Sequence, residues 1–155
     1  MNKILISICC AMLLCIPIGC SQQDNVKAEL PKTEEISVTK MKVQEINGLS
    51  IKFNDFSTIE SGTKDKQKIL KITAHLKNKT ASPLNYDSLG LEVYNKKGEQ
   101  LTWYPSTNFG GVLAPQQEIS GDSFYEAKGE GPYTIKYKDL DKPKDSVEWK
   151  NVMLQ

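Results

Sequence analysis

His75 is the single histidine of this 155-residue chain, so a hydrolytic triad, a histidine-based zinc site or a histidine general base would have to use it. It stands in Lys68-Ile-Leu-Lys-Ile-Thr-Ala-His-Leu-Lys77, where alternation puts it among lysines and threonine and away from the apolar residues. Ser61-Gly62-Thr63-Lys64 and Ser37-Val38-Thr39-Lys40 both have the Ser-x-x-Lys spacing in which a lysine helps deprotonate a serine at the start of a buried helix. Neither opens a helical pattern, and no Ser-Asp-Asn or Lys-Thr-Gly accompanies them. Asp139, Asp141 and Asp145, with Asp122 joining across the fold, offer oxygens to calcium, but a calcium loop needs a sharp-turn glycine and a closing bidentate carboxylate. Lysines and Pro143 stand there instead, and the stretch reads as a solvated turn. No metal or other cofactor is expected.

The stretch with most promise is Leu101 to Pro115, LTWYPSTNFGGVLAP, where Trp103, Tyr104 and Phe109 flank turn-forming residues. Aromatic side chains beside a Gly-Gly pair can form a platform for a sugar ring or a slot for a peptide, and these three are the candidate ligand-binding residues. Parity with Leu101 also points Trp103 toward a core, and Phe109 can plug one end of a sandwich.

Charge narrows the partners. All the basic residues are lysines, and removing Lys3 with a leader leaves nineteen of them against nineteen acids. Without arginine there is no bidentate fork for phosphate or guanine, and without a basic excess there is no counterion-release drive, so nucleic acid is not an expected partner. No pair of carboxylates sits in the apolar context that raises one pKa for acid catalysis.

The amino end supplies an address. Lys3 precedes an apolar run, Ile4 to Ile18, interrupted by Ser7 and followed by Gly19 and Cys20. The run is shorter than the roughly 20 residues a spanning helix needs, and no basic stop-transfer cluster follows it. All four cysteines, Cys9, Cys10, Cys15 and Cys20, lie here, so cleavage before Cys20 leaves one sulfur and no internal disulfide. Pro17-Ile18-Gly19-Cys20 resembles a bacterial lipoprotein signal, with proline where that family usually has leucine. The resemblance implies that residues 1–19 are a signal peptide and that Cys20 carries the lipid. Acyl chains add about 0.8 kcal/mol per buried methylene, enough for two or more of them to hold a protein on the outer face of a membrane. Residues 20–35 are polar and charged and read as a flexible linker.

The elements that must position any site lie in 36–155, near the usual size of one domain. Period-two alternation dominates: Leu49, Ile51 and Phe53 after the turn Asn47-Gly48; Leu70 to Leu76; Leu89, Leu91 and Val93 before the hairpin Asn95 to Gly98; then Leu101 and Trp103 on a return strand. Ile119 and Phe124 fall on opposite parities around Gly121, which predicts a bulge. Tyr133, Ile135 and Tyr137 form a clean strand. Val147 and Trp149 begin the last one, which bends before Val152 and Leu154. With Ile36 to Ile46 as a first irregular strand, the count is about seven or eight strands, the pattern of an all-β sandwich. Asn78-Lys79-Thr80 matches a glycosylation acceptor, but Asn78 reads as a turn residue.

The order of features in ILKITAHLKNKTASPLNYDSLGLEVYNKKGEQL and LAPQQEISGDSFYEAKGEGPYTIKYK resembles the telokin-like, immunoglobulin-fold domain of unknown function found in secreted and lipid-anchored proteins of Gram-positive bacteria. That resemblance spans roughly Gly48 to Asn151 and implies an immunoglobulin-like β-sandwich; it transfers no catalytic residue. The expected function is a non-catalytic binding or accessory domain, tethered to the membrane through its lipid, whose ligand is an envelope protein or polysaccharide. The alternative is a cell-envelope hydrolase or transferase, which the single outward histidine and the missing carboxylate pair disfavour. Nothing in the residues fixes the oligomeric state.

Overall fold

A computed structural model describes residues 36–62, 66–106 and 109–155. The signal, Cys20 and the linker lie outside the described residues, as does Lys64 of one Ser-x-x-Lys match. Among the described residues ten strands form: β1 Ile36–Ser37, β2 Gln44–Ile46, β3 Leu49–Glu60, β4 Lys68–Asn78, β5 Leu84–Asp87, β6 Leu91–Tyr94, β7 Gly110–Leu113, β8 Glu118–Glu126, β9 Tyr133–Lys138 and β10 Ser146–Met153. They make two four-stranded sheets, ordered β1-β10-β9-β6 and β2-β3-β4-β8, and a two-stranded ribbon of β5 and β7. The two larger sheets pack as a β-sandwich, as the alternation predicted.

The register follows the period-two pattern where that pattern is strong. On β4, Leu70, Ile72, Ala74 and Leu76 are buried between the sheets while Lys71, Thr73, His75 and Lys77 face outward. Across the core, Phe53 meets Trp149 edge to face at 4.7 Å, and Phe56 meets Tyr133 at 5.2 Å, geometry that aligns ring edges with ring faces. Both Phe53 and Phe56 reach the interior because the register slips by one between Phe53 and Asp55, a bulge that returns the later residues to the core face. The fully buried Tyr125 crosses from β8 to the other sheet, where its hydroxyl donates to the Leu91 carbonyl at 2.7 Å.

Four expectations need correction. Residues 36–46 are not one strand: β1 joins one sheet, Val38–Lys40 forms a 3-10 turn with Val38 buried, and β2 joins the other sheet. No bulge occurs at Gly121, since β8 pairs with β4 in unbroken register from Ile69↔Glu126 to Lys77↔Glu118. The inward residues there are Ile119, Gly121, Ser123 and Tyr125, while Phe124 stands opposite Lys71 on the outer, half-buried face. Leu89 does not share a strand with Leu91; it lies in a second 3-10 turn, Ser88–Gly90, and is exposed, because Asp87 accepts from the Leu89 N–H and starts the turn. The return after the Asn95–Gly98 hairpin contributes single bridges, Tyr94↔Gln100 and Trp103↔Tyr125, and no continuous strand.

The remaining turns match their residue types. Asn47 and Gly48 both have positive φ, 49° and 84°, as a two-residue hairpin demands. The last strand shifts register between Trp149 and Val152, with Asn151 at φ 60°. Asn78 is wholly buried: its amide donates to the carbonyls of Ser82, Leu113 and Ala114, and its side-chain oxygen accepts from Thr80. It ties the end of β4 to the end of β7.

Candidate functional site

Residues far apart in sequence meet at one end of the sandwich. The β2–β3 turn brings Asn47, the β5–β7 ribbon brings Asn85, Tyr86, Asp87, Gly111 and Val112, and the β9–β10 loop brings Asp139 to Asp141. Between them is a pocket of about 350 Å³. Its walls are apolar at Ile46, Leu84, Val112 and Leu140, and the last two are 61% and 51% exposed, large hydrophobic side chains left facing water.

Amides fix the acidic side. Asn47 Nδ2 donates to Asp139 at 2.7 Å and to Asp145 at 3.0 Å, and Asn85 Nδ2 donates to Asp141 at 3.3 Å. The backbone N–H groups of Asp141 and Lys142 donate to the other Asp139 oxygen, so the loop is a hydrogen-bonded turn. Burial pushes the Tyr137 hydroxyl up to about 12; the carboxylates of Asp139, Asp87 and Asp141 push the same way, while a hydrogen bond with the Asp87 backbone opposes them. A neutral phenol therefore forms part of the lining at any physiological pH.

The aromatic candidates do not converge on this pocket. Trp103 is half-buried with its ring 4.8 Å from that of Tyr125, and the Tyr104 N–H donates to the Phe124 carbonyl. Phe109 tilts against Tyr86 at 5.8 Å and covers Gly121, facing a small apolar space between the sheets. Phe109 plugs the sandwich, the packing role set beside its ligand-binding one. The Leu101-to-Pro115 stretch reaches the end pocket through Gly111 and Val112 instead.

The other chemical candidates resolve into structure. His75 lies on the outer face, hydrogen-bonded to Ser120 at 3.0 Å and 3.3 Å from Glu118, within a ladder that also pairs Lys71 with Asp122 and Lys77 with Glu118. Asp122 accepts from Thr73 in that ladder. No group of three or more residues with metal-ligand character is gathered among the described residues. Ser37 precedes a turn whose Lys40 is exposed, and Ser61 is buried with its N–H on the Gln67 carbonyl. Among the described residues no helix is long and apolar enough to cross a membrane. A second, more open groove of about 430 Å³ runs over the outer face of the β10-β9-β6 sheet beside Lys96, Lys136 and Lys150. Glu148 in the same groove pairs with Lys150 at 2.7 Å, which leaves a mixed surface.

Sequence reasoning missed Asn85, Tyr86 and Asp87. Their strand is four residues long and follows Pro83, so Leu84 and Tyr86 supply only one period of alternation.

No family model matches the chain, and no curated protein matches it. Solved structures do. A candidate lipoprotein of Bacillus subtilis, ycdA, is 21% identical over 70% of this chain with a TM-score of 0.59, and the chain spans 37% of that protein's length. The yjhA protein of Bacillus subtilis is 16% identical, with 74% of this chain and 96% of that one covered and a TM-score of 0.55. MPT63, a secreted protein of Mycobacterium tuberculosis, is 10% identical, with 76% and 98% covered and a TM-score of 0.54. At these identities the likeness is one of fold.

Proposed function

We propose that this protein is a lipid-anchored, extracytoplasmic binding module without catalysis, and that its ligand occupies the pocket at the Asn47–Asp141 end of the sandwich. The observation that carries this reading is the pocket itself: exposed apolar walls at Val112 and Leu140 beside polar groups held in place by amide hydrogen bonds, the usual composition of a small binding site. The signal-like run ending at Cys20 supports the anchor. The fold shared with ycdA, a candidate lipoprotein, and with the secreted MPT63 supports the extracytoplasmic side.

The test is crosslinking on intact cells, with the wild-type chain beside Val112→Arg, which fills the pocket from an exposed position, and a Tyr104→Ala, Phe109→Ala double variant. A partner lost only in Val112→Arg supports the end pocket. A partner lost only in the aromatic variant moves the site to the other part of the loop, and no partner in any arm removes the binding reading.

A further inference from the structure

The carboxylates at the end pocket have a partner chemistry written into their surroundings. Asp87, Asp139 and Asp141 all line the pocket and, among the described residues, no lysine does, in a chain whose lysines and acids are otherwise almost equal in number. Lys142 and Lys144, on the same loop, are exposed but outside the lining. None of the three carboxylates takes part in an ion pair among the described residues, although lysines elsewhere find acids readily: Lys71, Lys77, Lys138 and Lys150 each have one.

The apolar part is equally specific. Leu84, Val112 and Leu140 stand beside the carboxylates, so an occupant that satisfies both needs a hydrocarbon portion ending in a positive charge. At about 350 Å³ the pocket is near the lower end of ligand sites, large enough for one or two side chains. A bare metal ion fits less well, because N–H donors from Asn47, Asp141 and Lys142 already occupy both oxygens of Asp139. Next to the pocket, Gly110, Gly111 and Val112 of β7 are exposed, and among the described residues β7 pairs only with β5, which leaves one backbone edge for an extended peptide.

We infer that the pocket takes a lysine side chain of a partner polypeptide, its methylenes against Val112 and Leu140 and its ammonium among Asp87, Asp139 and Asp141. This rests on the end pocket being the binding site. Because the carboxylates are at the surface, salt screens the attraction, and affinity falls as ionic strength rises.

The experiment uses the full chain in detergent micelles and the fluorescence anisotropy of labelled Gly-Leu-Lys-Leu-Gly, with norleucine or glutamate replacing lysine in two control peptides. The expected result is lysine-peptide binding about tenfold tighter than norleucine, a loss of about tenfold in Asp141→Asn, and abolition in Asp141→Lys, with melting temperatures unchanged. Asp141 is the suitable position because its side chain takes a single amide at 3.3 Å and is exposed. Equal binding of the lysine and norleucine peptides, unaffected by Asp141→Asn but lost in Val112→Arg, would overturn the lysine assignment and leave the pocket reading intact. Binding retained in Val112→Arg would overturn both. No binding of any peptide to the wild-type chain would overturn the lysine assignment, with the pocket reading judged by the crosslinking partner.

Discussion

Gly121 lies directly under the ring of Phe109: a Cβ built on Gly121 would stand 2.3 Å from the ring's Cγ. The glycine is part of an unbroken strand, and its small size makes room for the plug. Gly121→Ala is expected to cost about 1 to 3 kcal/mol, as overpacking does, and the cost should shrink when Phe109→Ala is present. Thermal unfolding of the two single variants and the double variant checks this; additive losses would mean that the ring and the glycine are independent.

Asn78 holds three carbonyls from a buried position. Asn78→Ala leaves those groups without their donor and is expected to destabilise by about 1 to 3 kcal/mol in urea unfolding. A loss below the error of the measurement would show that the loops re-pair without it. Because the side chain is buried, Asn78 is also closed to glycan attachment in the folded chain.

The two tryptophans should separate. Trp149 is buried against Phe53 with its indole N–H on the Lys42 carbonyl at 2.7 Å, whereas Trp103 is half-buried. Trp149→Ala is expected to cost about 3 to 5 kcal/mol and Trp103→Ala about 1 to 3 kcal/mol in guanidinium unfolding. A larger loss at Trp103 would contradict the packing.

These outcomes trace how much of the molecule was legible beforehand. Leu70 to Leu76 and Tyr133 to Tyr137 declared their faces because alternation ran for several residues in strands buried on one side. Phe124 misled, because an aromatic ring on the outer face broke the parity and suggested a bulge; the register slips instead between Phe53 and Asp55, which turns both Phe53 and Phe56 inward, and between Trp149 and Val152. The pocket was illegible for another reason: Asn47 and Asp139 are 92 positions apart, and their hydrogen bond depends on two hairpin ends meeting. Asp139 and Asp141 were visible as a turn, and Val112 as part of a glycine-rich loop, but nothing local joins them. Trp103, Tyr104 and Phe109 drew attention as aromatics, and two of their rings turned out to pack on Tyr125 and Tyr86.

Stability should be flat near neutrality and fall on both sides. Burial works to raise the Glu92 carboxyl, but the hydrogen bonds from Lys138 and Tyr94 and the charges of Lys138 and Lys136 together hold it below its ordinary 4.5. The hydrogen bond from Lys77 lowers Glu118, and that from Asn95 lowers Glu99. These groups bind protons less readily folded than unfolded, so their contribution is present above about pH 4.5 and is lost as pH falls through the lowered values. The hydrogen bond to Glu92 pushes Tyr94 up to about 12, and burial does the same for Tyr137, so their contribution is present below pH 10 and disappears as pH climbs toward 12. Urea midpoints should be constant from about pH 5 to 9 and drop outside that window, with a shallower acid limb in Glu92→Gln. An acid limb unchanged in that variant would remove Glu92 from the account.

Cys20→Ala is expected to abolish the anchor, leaving a chain that is unprocessed or shed from membranes while its domain melts as before. Fractionation with and without detergent checks it. A variant that stays processed and detergent-extractable would refute lipid attachment at Cys20.

The pairing of the first strand with the last sets where the chain enters the domain. Ile36 lies beside Val152, at the finish of β10, and β10 starts at Ser146, next to the Asp139–Asp145 loop. The chain therefore enters the domain at the far end of β10 from the pocket, about 25 Å away for a strand of this length. Attachment through the amino-terminal chain therefore leaves the pocket mouth at the opposite end of the sandwich.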